Sequence, residues 1–131
     1  MKYVLDTNTL IYFFKGSGDV STHLLSKPPS DIAIPSIVLF ELEVGIGKSI
    51  NPDKRKKQLK DFLSLVDLIP FGYEAAQIAA DIRVNLENQG LPIGPYDVLI
   101  AASALSIQGT LVTHNTKEFQ RVNDLKIEDW F

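Results

Sequence analysis

Tyr3-Val4-Leu5-Asp6-Thr7-Asn8 is the stretch from which the fold is read: three apolar residues closed by an acid. An apolar run without alternation reads as a strand buried on both faces. Asp6 and Thr7 are both residues that open helices, so a helix over Thr7–Lys15 is expected to follow at once. Three more polar residues, far apart in the chain, also sit where a strand would meet a helix. Glu41 lies inside an otherwise apolar helix, Asp97 follows Gly94-Pro95, and Asn115 follows Thr110-Leu111-Val112-Thr113.

Outward from that first unit, Gly16-Ser17-Gly18 breaks the helix, and a second is expected from Val20 to Ser26, stopped by Lys27-Pro28-Pro29. Ile32–Ile34 reads as a strand and Ser36 can cap a helix to about Lys48. A helix over Asp53–Leu65 and a strand over Val66–Pro70 come next. Ala75, Ile78, Ala79, Ile82 and Leu86 form a helical stripe within 72–88, ended by Gly90. Pro95–Ile107 is an apolar helix, Thr110–Thr113 a strand, Lys117–Phe119 a helical turn and Leu125–Ile127 an edge strand. Short strands alternating with longer helices predict an α/β fold: one short, largely parallel, twisted sheet with helices on both faces, in a single domain over 1–131. Ligands of such sheets bind beyond the carboxyl ends of the strands. Asp6 and Asn115 fall there, and Glu41 lies shortly after the second strand.

Composition narrows the function classes. The 131 residues carry 45% hydrophobic residues and a net charge of −3, and contain no cysteine and two histidines. Disulfides and thiolate metal sites are excluded, and a structural zinc site has too few ligands. No apolar stretch approaches a membrane span, which takes roughly 20 residues. The N-terminal sequence does not read as a signal or transit peptide, so a cytoplasmic protein is expected. The acidic balance is not that of a duplex-binding module. A nuclease can still be acidic overall, because the carboxylates that hold its metal count against it.

Carboxylates in apolar company cost several kcal/mol of desolvation unless something offsets their charge. No matching set of cations stands out, so a bound divalent metal is the expected offset. Mg²⁺ and Mn²⁺ prefer hard oxygen ligands and keep several waters, so three carboxylates with an amide or hydroxyl suffice. Such an ion acidifies bound water and neutralises charge at phosphorus, which is the equipment of a metal-dependent hydrolase. Taken singly, Asp6 could be a helix cap and Asp97 a helix N-terminal acid. Glu41 has no such explanation among Leu39, Phe40, Leu42 and Val44. Glu43 lies about 200° round the helix from Glu41 and reads as a surface acid.

These residues lie in recognisable blocks: Leu5-Asp6-Thr7-Asn8, Phe40-Glu41-Leu42, Pro92-Ile93-Gly94-Pro95-Tyr96-Asp97-Val98-Leu99-Ile100-Ala101-Ala102, Val112-Thr113-His114-Asn115-Thr116-Lys117-Glu118-Phe119 and the closing Glu128-Asp129-Trp130. In this order they resemble the PIN-domain ribonucleases, and within them the VapC toxins of bacterial VapBC toxin–antitoxin pairs. The resemblance implies an Mg²⁺- or Mn²⁺-dependent endoribonuclease, with tRNA as a target class and 5′-phosphate, 3′-hydroxyl products. It implies that Asp6, Glu41 and Asp97 bind metal and that Asn115 completes the catalytic set. Many PIN domains carry an aspartate at that position; an amide adds no charge, and one ion is easier to hold than two. Thr7, Thr113, His114 and Glu118 are expected around these acids, touching them or the substrate. A VapB-like antitoxin covering the pocket, a homodimer and a bacterial or archaeal cytoplasm are implied as well.

Other readings stay open at this point. A haloacid-dehalogenase-like phosphatase also begins with a strand-end aspartate, but Asp6-Thr7-Asn8 lacks its second acid. A catalytically inactive PIN-type binding module is the non-enzymatic alternative, against which the three acids stand intact. Lys54-Arg55-Lys56-Lys57 with Lys60 reads as the wet face of a helix or as a phosphate-binding rim. Tyr12, Phe13 and Phe14 read as core or dimer packing more readily than as base-stacking residues. His114 reads as an exposed loop histidine or a phosphate contact.

Overall fold

The computed structural model describes residues 1–131. Five strands form one sheet: β1 (Tyr3–Leu5), β2 (Ile32–Pro35), β3 (Asp67–Ile69), β4 (Thr110–Val112) and β5 (Lys126–Glu128). Their order is β3-β2-β1-β4-β5, and every neighbouring pair is parallel. The expected largely parallel sheet is thus parallel throughout. Seven helices connect the strands: α1 (Thr7–Lys15), α2 (Val20–Leu25), α3 (Ser36–Gly47), α4 (Pro52–Leu63), α5 (Tyr73–Asn88), α6 (Pro95–Ser106) and α7 (Thr116–Phe119). From β1 the chain steps one way to β2 and β3, then crosses back to β4 and β5 on the other side. Right-handed crossovers in opposite directions place helices on both faces of the sheet.

The strand order reverses between β1 and β4, which creates a crevice at their carboxyl ends. Register fixes what faces it. Tyr3, Val4 and Leu5 lie opposite Thr110, Leu111 and Val112, so Asp6 and Thr113 leave the sheet side by side. The Asp6 N–H donates to the Val112 carbonyl at 3.2 Å, extending the ladder by one bond. Val4, Leu5, Ile34, Leu111 and Val112 are wholly buried, as strands covered on both faces require.

One continuous core of 27 buried residues joins the sheet to the helices. Phe13 and Phe14 of α1 pack with Phe62 of α4, centroids 5.6 and 5.8 Å apart, so they belong to the core edge. Trp130 is buried against Tyr3, and its indole N–H donates to Glu128 at 3.0 Å. No helix is long and apolar enough to cross a membrane.

Candidate active site

Asp6 sits directly after β1, with only 5% of its surface exposed. It caps α1, accepting the Thr9 N–H at 2.9 Å, so its position as a helix cap and its place in a buried pocket are one arrangement. Thr9 in turn donates its hydroxyl to the Val112 carbonyl at 3.1 Å and locks the cap to β4. Burial pushes the Asp6 carboxyl above the ordinary 3.8, against hydrogen bonds from Thr113 and Thr9; the charge of Asp129 adds to the rise.

Asp97 arrives from the opposite side, in the first turn of α6. Gly94 makes room for it, since a Cβ there would lie 3.2 Å from Asp97 Oδ2. The Asp97 carboxyl is pushed up to about 6, first by burial and then by the charges of Glu118, Asp6 and Glu41. Asp6 just before α1, Glu41 of α3 and Glu118 of α7 thus each act by charge on Asp97 of α6. Glu41 accepts the Thr7 hydroxyl at 2.8 Å. Glu118 accepts the Asn115 amide at 3.1 Å, and the Asn115 N–H donates to the buried Thr113 hydroxyl at 3.0 Å.

No cation offsets this cluster. The ion pairs of the chain are Lys2–Asp67, Arg83–Glu87 and His114–Asp129, none of which reaches Asp6, Glu41, Asp97 or Glu118. The donor set is all hard oxygen, which fits Mg²⁺ or Mn²⁺. No three of these side chains enclose an ion by themselves. A cation held here would take part of its shell from water, as Mg²⁺ ordinarily prefers.

Some expectations need adjustment. Glu41 is not crowded by apolar neighbours: α3 buries Val38, Leu42 and Ile46, while Phe40 and Val44 turn outward and Glu41 is half-buried. Its partner Thr7 marks it out, not desolvation. Glu118 stands closer than a peripheral acid, against both Asn115 and Asp97. Glu43 is exposed, as expected, and so are Lys54, Lys56, Lys57 and Lys60. Arg55 is exposed with them. With Lys15 it flanks a groove of about 320 Å³ that starts at Glu41 and is floored by Ile11, Phe14, Leu42 and Leu59. Asp129 carries no sequence signal beyond its place in the Glu128-Asp129-Trp130 block, yet it pairs with His114 at 3.0 Å, and its charge raises the Asp6 pKa.

Uncompensated acids at the switch point of a parallel α/β sheet form an all-oxygen donor set of the class that phosphoester-cleaving enzymes use. A family model described as PIN domain matches residues 3–125. Ribonuclease VapC2 of Rickettsia felis is 40% identical over 133 residues, which cover 99% of this chain and 98% of that protein. The tRNA(fMet)-specific endonuclease VapC of Salmonella typhimurium is 35% identical over 130 residues, with the same coverage of 99% and 98%. Among solved structures, VapBC2 of Rickettsia felis bound to a promoter DNA fragment matches at TM-score 0.90 and 39% identity over the whole of both chains. DNA-bound VapBC of Salmonella typhimurium matches at TM-score 0.93 and 35% identity, covering 100% of this chain and 99% of that one. The chain belongs to the PIN-domain family and, within it, to the VapC toxins.

Proposed function

We propose that this chain is the toxin of a VapBC pair, a metal-dependent endoribonuclease in which Asp6, Glu41 and Asp97 hold Mg²⁺ or Mn²⁺ and Asn115 completes the pocket. The observation that carries this reading is the convergence of the three acids, with Glu118, at the β1/β4 switch without a compensating cation. A divalent cation bound there supplies charge neutralisation at the phosphoryl group and acidifies its water ligand. The side chains do the positioning. Thr7 holds Glu41, and the Thr9 N–H holds Asp6. Thr113 fixes the backbone at Asn115, whose amide faces Glu118 and leaves its carbonyl oxygen to accept a hydrogen bond or a cation. Because Asn115 brings no charge, one cation is favoured over two.

The substrate class is RNA, with tRNA favoured because the Salmonella typhimurium and Shigella flexneri relatives, each 35% identical, are named tRNA(fMet)-specific endonucleases. The partner is a VapB-type antitoxin. The apolar groove running from Glu41 between Lys15 and Arg55 is shaped to take a segment of it and lead a basic side chain to the acids. The chain acts as one PIN domain over 1–131, as a homodimer in a bacterial or archaeal cytoplasm. Incubation of the antitoxin-free protein with a tRNA pool and Mg²⁺, followed by mapping of fragment ends, tests this reading. Discrete fragments with 5′-phosphate and 3′-hydroxyl ends are expected. Cyclic phosphate ends, or turnover of a phosphomonoester with RNA left intact, would contradict it.

A further inference from the structure

We propose that the stacked rings of His114 and Phe131 form a platform that takes one unpaired base of the RNA beside the acid cluster. The proposal rests on the nuclease reading for its substrate and adds to it a contact outside the acids. The two rings lie nearly parallel, 25° apart, with centroids 4.3 Å from each other. Tyr12 of α1 closes one side, edge-on to Phe131 at 4.9 Å and to His114 at 6.0 Å.

The platform is held from several directions. Asp129 brackets it, with its two carboxylate oxygens 3.0 and 3.2 Å from His114 Nδ1, and its Oδ1 accepts the Phe131 N–H at 2.9 Å. The Asp19 N–H donates to the Phe131 carbonyl at 2.7 Å. Gly18, at φ +60°, allows this approach: a Cβ there would fall 2.6 Å from the same carbonyl oxygen. Despite these restraints Phe131 keeps 44% of its surface exposed and the His114 side chain 47%. Core packing does not account for two rings pinned this firmly and left open. A ring already fixed in place loses little entropy when a base stacks on it, and aromatic platforms of this kind bind single-stranded nucleic acid.

Position and charge choose the occupant. His114 immediately precedes Asn115, and Asp129 follows Glu128, whose carbonyl accepts the Thr113 N–H at 2.9 Å next to the Asp6 N–H bond to Val112. Asp129 on that flank repels a phosphate, whereas a cation among the acids, as the nuclease reading has it, would attract one, so the phosphate belongs over the acids with their cation bound and the neutral base on the rings. Every base has a π-face, so the platform contributes affinity and orientation more than base identity.

The test uses the antitoxin-free wild-type protein with Ca²⁺, which takes the same oxygen ligands as Mg²⁺ but activates water less, and single-stranded RNA carrying 2-aminopurine at successive positions. Binding is expected to quench the fluorescence at one position. Phe131→Leu is expected to abolish that quenching and weaken binding roughly tenfold, at the scale of one stacked base, and Phe131→Trp to restore both. His114→Ala, in an exposed loop, is expected to act in the same direction and serves if Phe131→Leu fails to fold. Unchanged binding and quenching in the folded Phe131→Leu or His114→Ala protein overturns the platform and leaves the nuclease reading standing. RNA that is cut with Mg²⁺ but shows quenching at no position overturns the platform alone, and RNA that neither binds with Ca²⁺ nor is cut with Mg²⁺ overturns both.

Discussion

Thr7 Oγ1 donates to Glu41 Oε1 at 2.8 Å, joining the first turn of α1 to the middle of α3 across 34 positions of sequence. This bond orients an acid that burial alone does not restrain. Thr7→Val removes the donor and keeps the shape, so Glu41 is expected to swing toward solvent. Partners that orient the ligands of a metal cost about 10–100-fold in affinity or activity when lost. RNA cleavage by Thr7→Val is expected to fall roughly tenfold at limiting Mg²⁺, with Thr7→Ser close to wild type. Equal rates for all three proteins would show that the bond does nothing for the site.

Asp6 is buried in a position that disfavours its charge. Asn can take over as helix cap for the Thr9 N–H, and it carries no charge. Asp6→Asn is therefore expected to abolish RNA cleavage while raising the melting temperature in metal-free buffer by roughly 3–6 °C, the shift of about 1 kcal/mol in a domain of this size. A lowered melting temperature would mean that the carboxylate is stabilising as it stands.

Asp97 sets the pH dependence. Its pKa rises from 3.8 to about 6 in the folded protein, so between those values the folded state binds more protons than the unfolded one. Metal-free stability is thus expected to be greatest below pH 4, to fall as pH rises through 4 to 6, and to level off above, as far as this group decides it. A cation needs the ionised carboxylate, so stabilisation by Mg²⁺ should be small at pH 5 and large at pH 8. Thermal melts with Mg²⁺ or EDTA across that range check both signs, and an Mg²⁺ effect independent of pH would exclude Asp97 as a ligand.

Asn115 keeps the charge of the pocket down. Asn115→Asp replaces its amide donor to Glu118 with a fifth carboxylate among the acids. Two opposite changes are expected from one substitution: a lower melting temperature in EDTA and a larger upward shift on adding Mn²⁺. Calorimetric titration would also show whether a second ion now binds. No change in either melt would place Asn115 outside the pocket's field.

Much of the architecture is legible from periodicity. Tyr3–Leu5 and Thr7–Lys15 occur with the expected bounds, because an apolar triplet followed by Asp-Thr has few other local solutions. The last strand enters one residue later than expected, at Lys126, since Asp124 turns through φ +66° just before it. Asp6 and Asp97 are legible as carboxylates beside apolar runs that call for an offset, whereas the apolar crowding that singles out Glu41 in sequence is absent from the fold. What depended on distant packing was not legible. The outward turn of Phe40 and Val44, the inward reach of Glu118, and the bracket that Asp129 places across His114 and Phe131 all follow from how helices and loops meet around the sheet. No local pattern encodes them.

In the proposed mechanism Asp6, Glu41 and Asp97 hold a divalent cation on which RNA hydrolysis depends. Cleavage of a tRNA pool by antitoxin-free wild type and Asp6→Asn, each with Mg²⁺ or with EDTA, tests it most directly. Discrete fragments from the wild type with Mg²⁺, and none in the other three reactions, are the predicted result. Fragments that persist in EDTA, or that Asp6→Asn still produces at the wild-type rate, would contradict it.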